Sequence, residues 1–200
     1  MGTQIESLGD YINGHFVKGT GTNFISYNPA KSDCAIVTMV EQNNAVDQAV
    51  HAAKSALKSW RRGGLELRGE ALRAGAALVA QHQMRIAEAI CLEMGKPISE
   101  AMVEAGSIKS KIEGVIAQIS HTLPQASTGA PGEQRFHPLG VISVIGPFNF
   151  PIHLLNTHII PALLTGNTVV AKPSEVTPLC GQRYAELFHA AGFPAGVLNV

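Results

Sequence analysis

Two short runs late in the sequence gather residue types that hold ligands or move charge: Gly146-Pro147-Phe148-Asn149-Phe150-Pro151 and Lys172-Pro173-Ser174-Glu175. Each follows an apolar stretch, Gly140-Val-Ile-Ser-Val-Ile and Thr168-Val-Val-Ala. Such runs read as strands buried on both faces of a parallel sheet, and open α/β sheets bind ligands beyond the carboxyl ends of their strands. The pair of turns therefore suits a nucleotide. A carboxylate there accepts from ribose hydroxyls, and a lysine beside it reaches ribose or phosphate. Neither the G-x-G-x-x-G fingerprint nor the Walker A sequence is present. The pattern alone leaves a plainer reading open, with Lys172 a solvated lysine and Glu175 a charge favoured at a helix N-terminus. Asn149 also reads two ways, as a turn residue satisfying nearby backbone or as an amide donor turned toward a ligand.

The remaining reactive types carry less. His153 and His158 are five residues apart, a spacing that does not place two ligands on one helical face, and no carboxylate joins them, so no metal site is expected. Cys34, Cys91 and Cys180 are odd in number and widely spaced, which gives no disulfide framework and fits a reducing cytoplasm. Cys180 falls near a helix start, where the dipole lowers a thiol pKa. Cys91 reads as core, and Cys34 as a turn residue beside Asp33. Glu93-Met-Gly-Lys-Pro97 reads as a helix end with Gly95 in the left-handed conformation.

These turns need elements to position them. Residues 10–40 read as β structure, with a hairpin around Asn13-Gly14, turns at Gly19–Thr22 and Asn28-Pro29, and a strand over 35–40 after a loop ending at Asp33. Residues 44–121 read as helical. A first helix is capped by Asn43 or Asn44 and buries Val46, Ala49, Val50, Ala53, Leu57 and Trp60. A second runs over 67–94, bent or split near His82. A third begins near Ser99 with Met102, Ala105, Ile108, Ile112, Val115, Ile116 and Ile119 as its buried stripe. Close helix packing explains Gly69, Gly75, Gly106 and Gly114, since each glycine costs about 1 kcal/mol in a helix interior. Residues 122–136, rich in Pro, Gly, Ser and Thr, read as a loop or extended arm. From 138 on, strand, helix, strand, helix and strand alternate, the mark of a doubly wound α/β domain. The sequence ends as the third strand opens, which would leave an exposed sheet edge.

Composition narrows the rest. The 200 residues are 46% apolar and 15% charged, a globular balance long enough to bury a core. Fifteen basic residues offset fifteen acidic ones, which argues against nucleic-acid or anionic-membrane binding driven by bulk charge. No apolar run reaches the roughly 18 residues needed to span a bilayer, and the N-terminus lacks a signal-peptide pattern.

The run GVISVIGPFNFPIHLLNTHIIPALLTGNTVVAKPSEVTP resembles the first βαβ unit of the aldehyde dehydrogenase superfamily. Its NFP turn, PAL-x-x-GN segment and KPSE turn occur in that family's order and spacing. The INGHFV hairpin, Asn28-Pro29, the Trp60 helix and the helix end at 93–97 agree. The stretch from Asn149 to Leu163, with its two histidines, is similar to the succinylglutamate-semialdehyde dehydrogenases of arginine catabolism. The resemblance implies a partial NAD-binding domain over 1–121 and 137–200, with 122–136 as a segment of an oligomerisation arm. It implies a cysteine thiolate attacking the aldehyde, with hydride passing to NAD and a glutamate activating water for release of the acid. Asn149 then matches the oxyanion-hole asparagine. Lys172, Ser174 and Glu175 match the adenosine-ribose contacts, with the Glu175 carboxylate favouring NAD over NADP. Ile145, Gly146, Pro147 and Phe148 match the backbone lining the nicotinamide side. The family's E-L-G-G base motif and G-Q-x-C nucleophile motif have no match in residues 1–200. The expectation is an inactive portion of a cytoplasmic, homo-oligomeric semialdehyde dehydrogenase. Its rivals are a truncated remnant, an interaction protein pairing through its free edge, and a generic nucleotide-binding module.

Overall fold

The computed structural model describes residues 4–122 and 135–200. The Asn13-Gly14 signal gives the hairpin of β1 (Asp10–Ile12) and β2 (His15–Val17). A second antiparallel pair joins β3 (Asn23–Asn28) to β4 (Lys31–Val40). Strand β4 starts earlier than the sequence suggests, so Asp33 and Cys34 lie within it rather than in a loop. The cause is a register irregularity near Tyr27, which pairs with Ala35 while Asn28 pairs with Lys31. The extra residues of β4 are absorbed as a bulge that bends the ladder.

Helix α1 (Ala45–Arg62) ends at Gly63. Its start differs: Asn44 has φ 61° and makes no side-chain capping bond. Asparagine tolerates the left-handed region, so here it turns the chain rather than capping the helix. Ala49, Ala52, Ala53 and Trp60 are buried, while Val46 is 72% exposed. Helix α2 (Gly64–Met94) is one unbroken helix with no split at His82. It packs along α3 (Ile98–Thr122), and the Gln83 amide donates to the Met102 carbonyl at 2.9 Å, fastening the middle of the pair. Gly95 closes α2 at φ 71° with its N–H on the Cys91 carbonyl. Close packing accounts for Gly75, whose Cβ would sit 3.3 Å from Phe188, and for Gly106 against Gln83 at 2.9 Å. It does not account for Gly69 or Gly114, which meet no close atom outside their own helix.

The α/β unit is β5 (Val141–Ile145), α4 (His153–Leu164), β6 (Thr168–Lys172), α5 (Pro178–Ala190) and β7 (Leu198–Asn199). The three strands are parallel in the order β5-β6-β7. Val169 and Val170 point to opposite faces of β6. Val169 joins the main core with Ile159, Ile160 and Leu163 of α4, and Val170 packs on Ala49 and Ala52 of α1. The sheet is thus covered on both sides, as a doubly wound domain requires.

The edge of the third strand is not left open. Tyr11 of β1 and Val200 exchange both backbone hydrogen bonds, at 2.8 and 2.9 Å, so the N-terminal hairpin covers it. Two buried donors lock the far end of α4: Trp60 Nε1 reaches the Leu163 carbonyl at 3.0 Å and Arg68 Nε the Leu164 carbonyl at 2.8 Å. The Arg68 guanidinium also donates to the Arg61 carbonyl at 3.1 Å, joining the ends of α1 and α4. It satisfies helix-end carbonyls that have no partner within their own helices.

Candidate functional site

The carboxyl ends of β5 and β6 lie side by side. Ile145 pairs with Lys172, and the Gly146 N–H donates to the Lys172 carbonyl at 2.9 Å. The two candidate turns therefore leave the sheet from one fixed point. Gly146 is buried, and a Cβ there would lie 2.7 Å from Leu155 Cγ. Ile145, Phe148, Asn149 and Phe150 are exposed, and Pro147 is half-buried. The Asn149 side chain makes no hydrogen bond among the described residues, so its amide is not used to satisfy the turn.

The backbone just beyond Asn149 is held by a residue of another helix. Helix α4 has no side-chain cap from its own N-cap residue Ile152. Instead Glu104 of α3, 5% exposed, accepts the N–H groups of Ile152 and His153 at 3.0 and 3.2 Å. Its other oxygen pairs with the Lys96 ammonium, which also sits 3.7 Å from the centroid of the Phe150 ring.

The second turn has the same construction. Lys172 and Glu175 form an exposed ion pair at 2.7 Å, and the Lys172 ammonium holds the Glu175 carboxyl below its ordinary range. Ser174 is buried, its hydroxyl accepting the Val176 N–H at 3.4 Å, so that group is engaged inside the turn. Helix α5 begins at Pro178 without a side-chain cap from Thr177. Glu93, the last acidic residue of α2, accepts the N–H groups of Leu179 and Cys180 at 3.0 and 2.9 Å and the Ser26 hydroxyl at 2.8 Å. Burial pushes the Glu93 carboxyl up, and those donors pull it back.

A cleft of about 690 Å³ opens beside the second turn, between the β1 hairpin, the start of α1 and the ends of β6 and β7. Its walls include Asp10, Val46, Lys172, Ser174, Glu175 and Gln182, but none of residues 145–149. The volume falls within the range of small-molecule sites. A ribose diol fits a carboxylate and an ammonium standing side by side, since one accepts and the other donates. Asp10 is half-buried in the cleft wall, and burial raises its carboxyl pKa.

The other candidates separate from this site. Cys180 is fully buried, and burial and Glu93 push its thiol well above its ordinary value, the reverse of the lowering expected at a helix start. Cys91 is half-buried against the core, its thiol raised by burial and Glu88. His153 lies 3.3 Å from the Ser107 hydroxyl, His158 is exposed, and no group able to hold a metal occurs among the described residues.

The sequence model of the aldehyde dehydrogenase family matches residues 16–200. The chain belongs to the aldehyde dehydrogenase family. It is 39% identical over 202 residues to the N-succinylglutamate 5-semialdehyde dehydrogenase of Legionella pneumophila (strain Corby), covering 98% of this chain and 40% of that protein. With the enzyme of the same name from Vibrio cholerae serotype O1 (strain M66-2) it shares 41% over 193 residues, covering 95% and 40%. The chain thus spans about two fifths of the length of these relatives. Among solved structures, a 1-pyrroline-5-carboxylate dehydrogenase from Thermus with bound NAD matches with a TM-score of 0.89 at 30% identity, over 98% of this chain and 39% of that one. An aldehyde dehydrogenase from Bartonella henselae also gives 0.89, at 27% identity, over 98% and 42%. The fold is accordingly a partial aldehyde dehydrogenase α/β fold.

Within this member of the family, sequence reasoning found both turns but missed the groups that seat them. Glu93 was legible only as part of a helix end. Lys96 and Glu104 carry no local signal, because their partners lie on another helix and in the turn before it. The 123–134 part of the proposed arm lies outside the described residues.

Proposed function

We propose that this chain supplies the cofactor side of an NAD-dependent dehydrogenase that oxidises N-succinylglutamate 5-semialdehyde to the carboxylate, in a cytoplasmic homo-oligomer. The observation that carries the reading is the joined pair of strand ends, with the exposed Asn149 on one turn and the Lys172–Glu175 pair on the other. The names of the relatives supply the substrate. When bound, NAD would supply the hydride acceptor. Glu175 and Lys172 would hold its adenosine ribose, and the backbone of 145–148 would line its nicotinamide end. Asn149 donates its amide to the oxygen that becomes negative as the carbonyl is attacked, a contribution of about 10²–10³ in rate for one such donor.

The attacking thiol is none of the three present. Cys180 is buried with its pKa raised, and no cysteine stands in the family's nucleophile context. The 200 residues alone are therefore expected to show no turnover. For the rival reading as an edge-pairing interaction protein, the backbone bonds between Tyr11 and Val200 leave less free edge at the third strand.

The test is aldehyde-dependent NADH formation by these residues together with the nucleophile-bearing remainder of a family enzyme. Turnover with N-succinylglutamate 5-semialdehyde, lost in Asn149→Ala with folding retained, is expected. No NADH with that or any other aldehyde would overturn the reading.

A further inference from the structure

The turn that carries Asn149 is exposed at its tip. Phe148 and Phe150 are 55% and 45% exposed, and Asn149 is exposed between them. On the side toward the sheet, its anchor is the Gly146 N–H on the Lys172 carbonyl. On the other side, the Phe150 carbonyl accepts the Leu154 N–H at 3.1 Å and Ile152 is buried in the core, and two residues of the α2–α3 pair add the side-chain contacts. Glu104 Oε1 holds the amides of Ile152 and His153, and Glu104 Oε2 holds the Lys96 ammonium, with Lys96 and Glu104 side chains only 13% and 3% exposed. The same ammonium lies over the Phe150 ring, the residue next to Asn149. Lys96 is itself placed by the turn between helices, after Gly95 in its left-handed conformation and before Pro97. Ser107, one turn along α3 from Glu104, donates to the Glu104 carbonyl at 2.7 Å and lies 3.3 Å from His153 Nδ1.

A lysine that only solubilised the surface would extend into water. This one is largely desolvated, paired with Glu104 and stacked on Phe150, and both contacts lead to the Asn149 turn. Both amides engage Glu104 Oε1, so the lysine is the partner of Oε2 and the counter-charge of a buried carboxylate. The lysine adds a link between cap and ring. That link fixes residues 150 and 152–153 to the same charge, and so fixes the direction in which residue 149 leaves the turn. Groups that stabilise developing charge depend on being held in place beforehand.

We propose that Lys96 and Glu104 are positioning residues for Asn149, with Lys96 setting the turn through both Glu104 and the Phe150 ring. For its catalytic consequence the proposal rests on the reading of Asn149 as an oxyanion donor. Its structural content stands without that reading.

The test has two arms. In the 200-residue chain, Lys96→Met is expected to speed hydrogen exchange at the Ile152 and His153 amides about tenfold, the loss of roughly one charge-assisted bond. It should also shift the Asn149 side-chain amide signals in NMR. The Leu179 and Cys180 amides, held by Glu93, should not change. Lys96→Arg, which keeps the charge over the ring, should restore both readouts. If Lys96→Met fails to fold, Phe150→Leu removes the ring contact to Lys96, together with the edge contact to His153, and should still shift the Asn149 signals. Unchanged Asn149 signals in the variant that folds would overturn the proposal.

In the native dehydrogenase, Lys96→Met should lower kcat by about 10- to 100-fold, the scale of misplacing a positioned group. The KM for NAD should stay within about twofold, because no ground-state cofactor contact is lost, and Lys96→Arg should recover kcat. Full kcat in Lys96→Met would overturn the catalytic half. A wild-type protein without activity would instead refute the proposed function, and the NMR arm would still decide the positioning role.

Discussion

Replacing Glu93 with alanine withdraws the acceptor for the Leu179 and Cys180 amides and the Ser26 hydroxyl in one step. The hydroxyl can turn to another acceptor, but the two amides cannot. Each buried donor left unmet costs about 1–3 kcal/mol, and loss of an N-cap alone costs about 0.5–2 kcal/mol. Removing the carboxylate also returns the cost of burying it, which is the cause of its raised pKa. The balance is a destabilisation of about 3 kcal/mol, a large part of the roughly 5–15 kcal/mol that holds a domain folded. Trp60 is the sole tryptophan and is 3% exposed, so its fluorescence reports unfolding. With a urea slope of about 2 kcal/mol per molar, the midpoint should fall by about 1.5 M. Ser26→Ala alone should cost about 1 kcal/mol, and much less once Glu93 is gone, because the two residues share one bond. A loss below about 1 kcal/mol for Glu93→Ala, or strict additivity with Ser26→Ala, would refute the assignment of this carboxylate as the cap of α5.

Arg68→Met should remove the donors to the Leu164 and Arg61 carbonyls and lower stability by about 2 kcal/mol, read as a fall in Tm of about 4–8 °C. Asp10 gives a pH signature. Burial holds its folded pKa above 3.8, so the folded state keeps the proton to higher pH than the unfolded state. Its contribution is complete below 3.8 and is lost as pH rises through the folded value. Asp10→Asn should therefore match wild type in acid and exceed it in thermal stability above that window, and equal unfolding temperatures at both ends would refute the assignment.

The architecture was legible where local pattern and burial coincide. The runs VISVI and TVVA fall in the paired strands β5 and β6, and Gly95 ends α2 in the left-handed region. Local pattern failed where an outside contact decides. Val46 has the helical spacing of a core residue, yet it faces the cleft. His82 offered a break that the Gln83 tie to α3 does not allow. Asn44 has the chemistry of a cap and the backbone of a turn. Of the candidate site, the turns could be found by motif. Their placement could not, because Glu93 acts on residues 86 and 87 positions away and Glu104 on residues 48 and 49 away. Nothing in the spacing around either glutamate distinguishes it from a solvent-facing one.

The same distances bear on how the chain is made. Helices α1–α3 leave the ribosome well before residues 152–180, at about 5–20 residues per second. Until then Glu93 and Glu104 have no amides to meet, Trp60 and Arg68 have no α4 to fasten, and Asn13 waits for Asn199, 186 positions later. Closing such long loops is entropically expensive and slows folding. In the nascent helical pair Glu104 already has Lys96, eight residues away, whereas Glu93 meets its amides only when residues 179 and 180 arrive. The groups that finally seat the two turns are thus made before the turns themselves, and they lose their access to water only when the strands and helices of the site arrive.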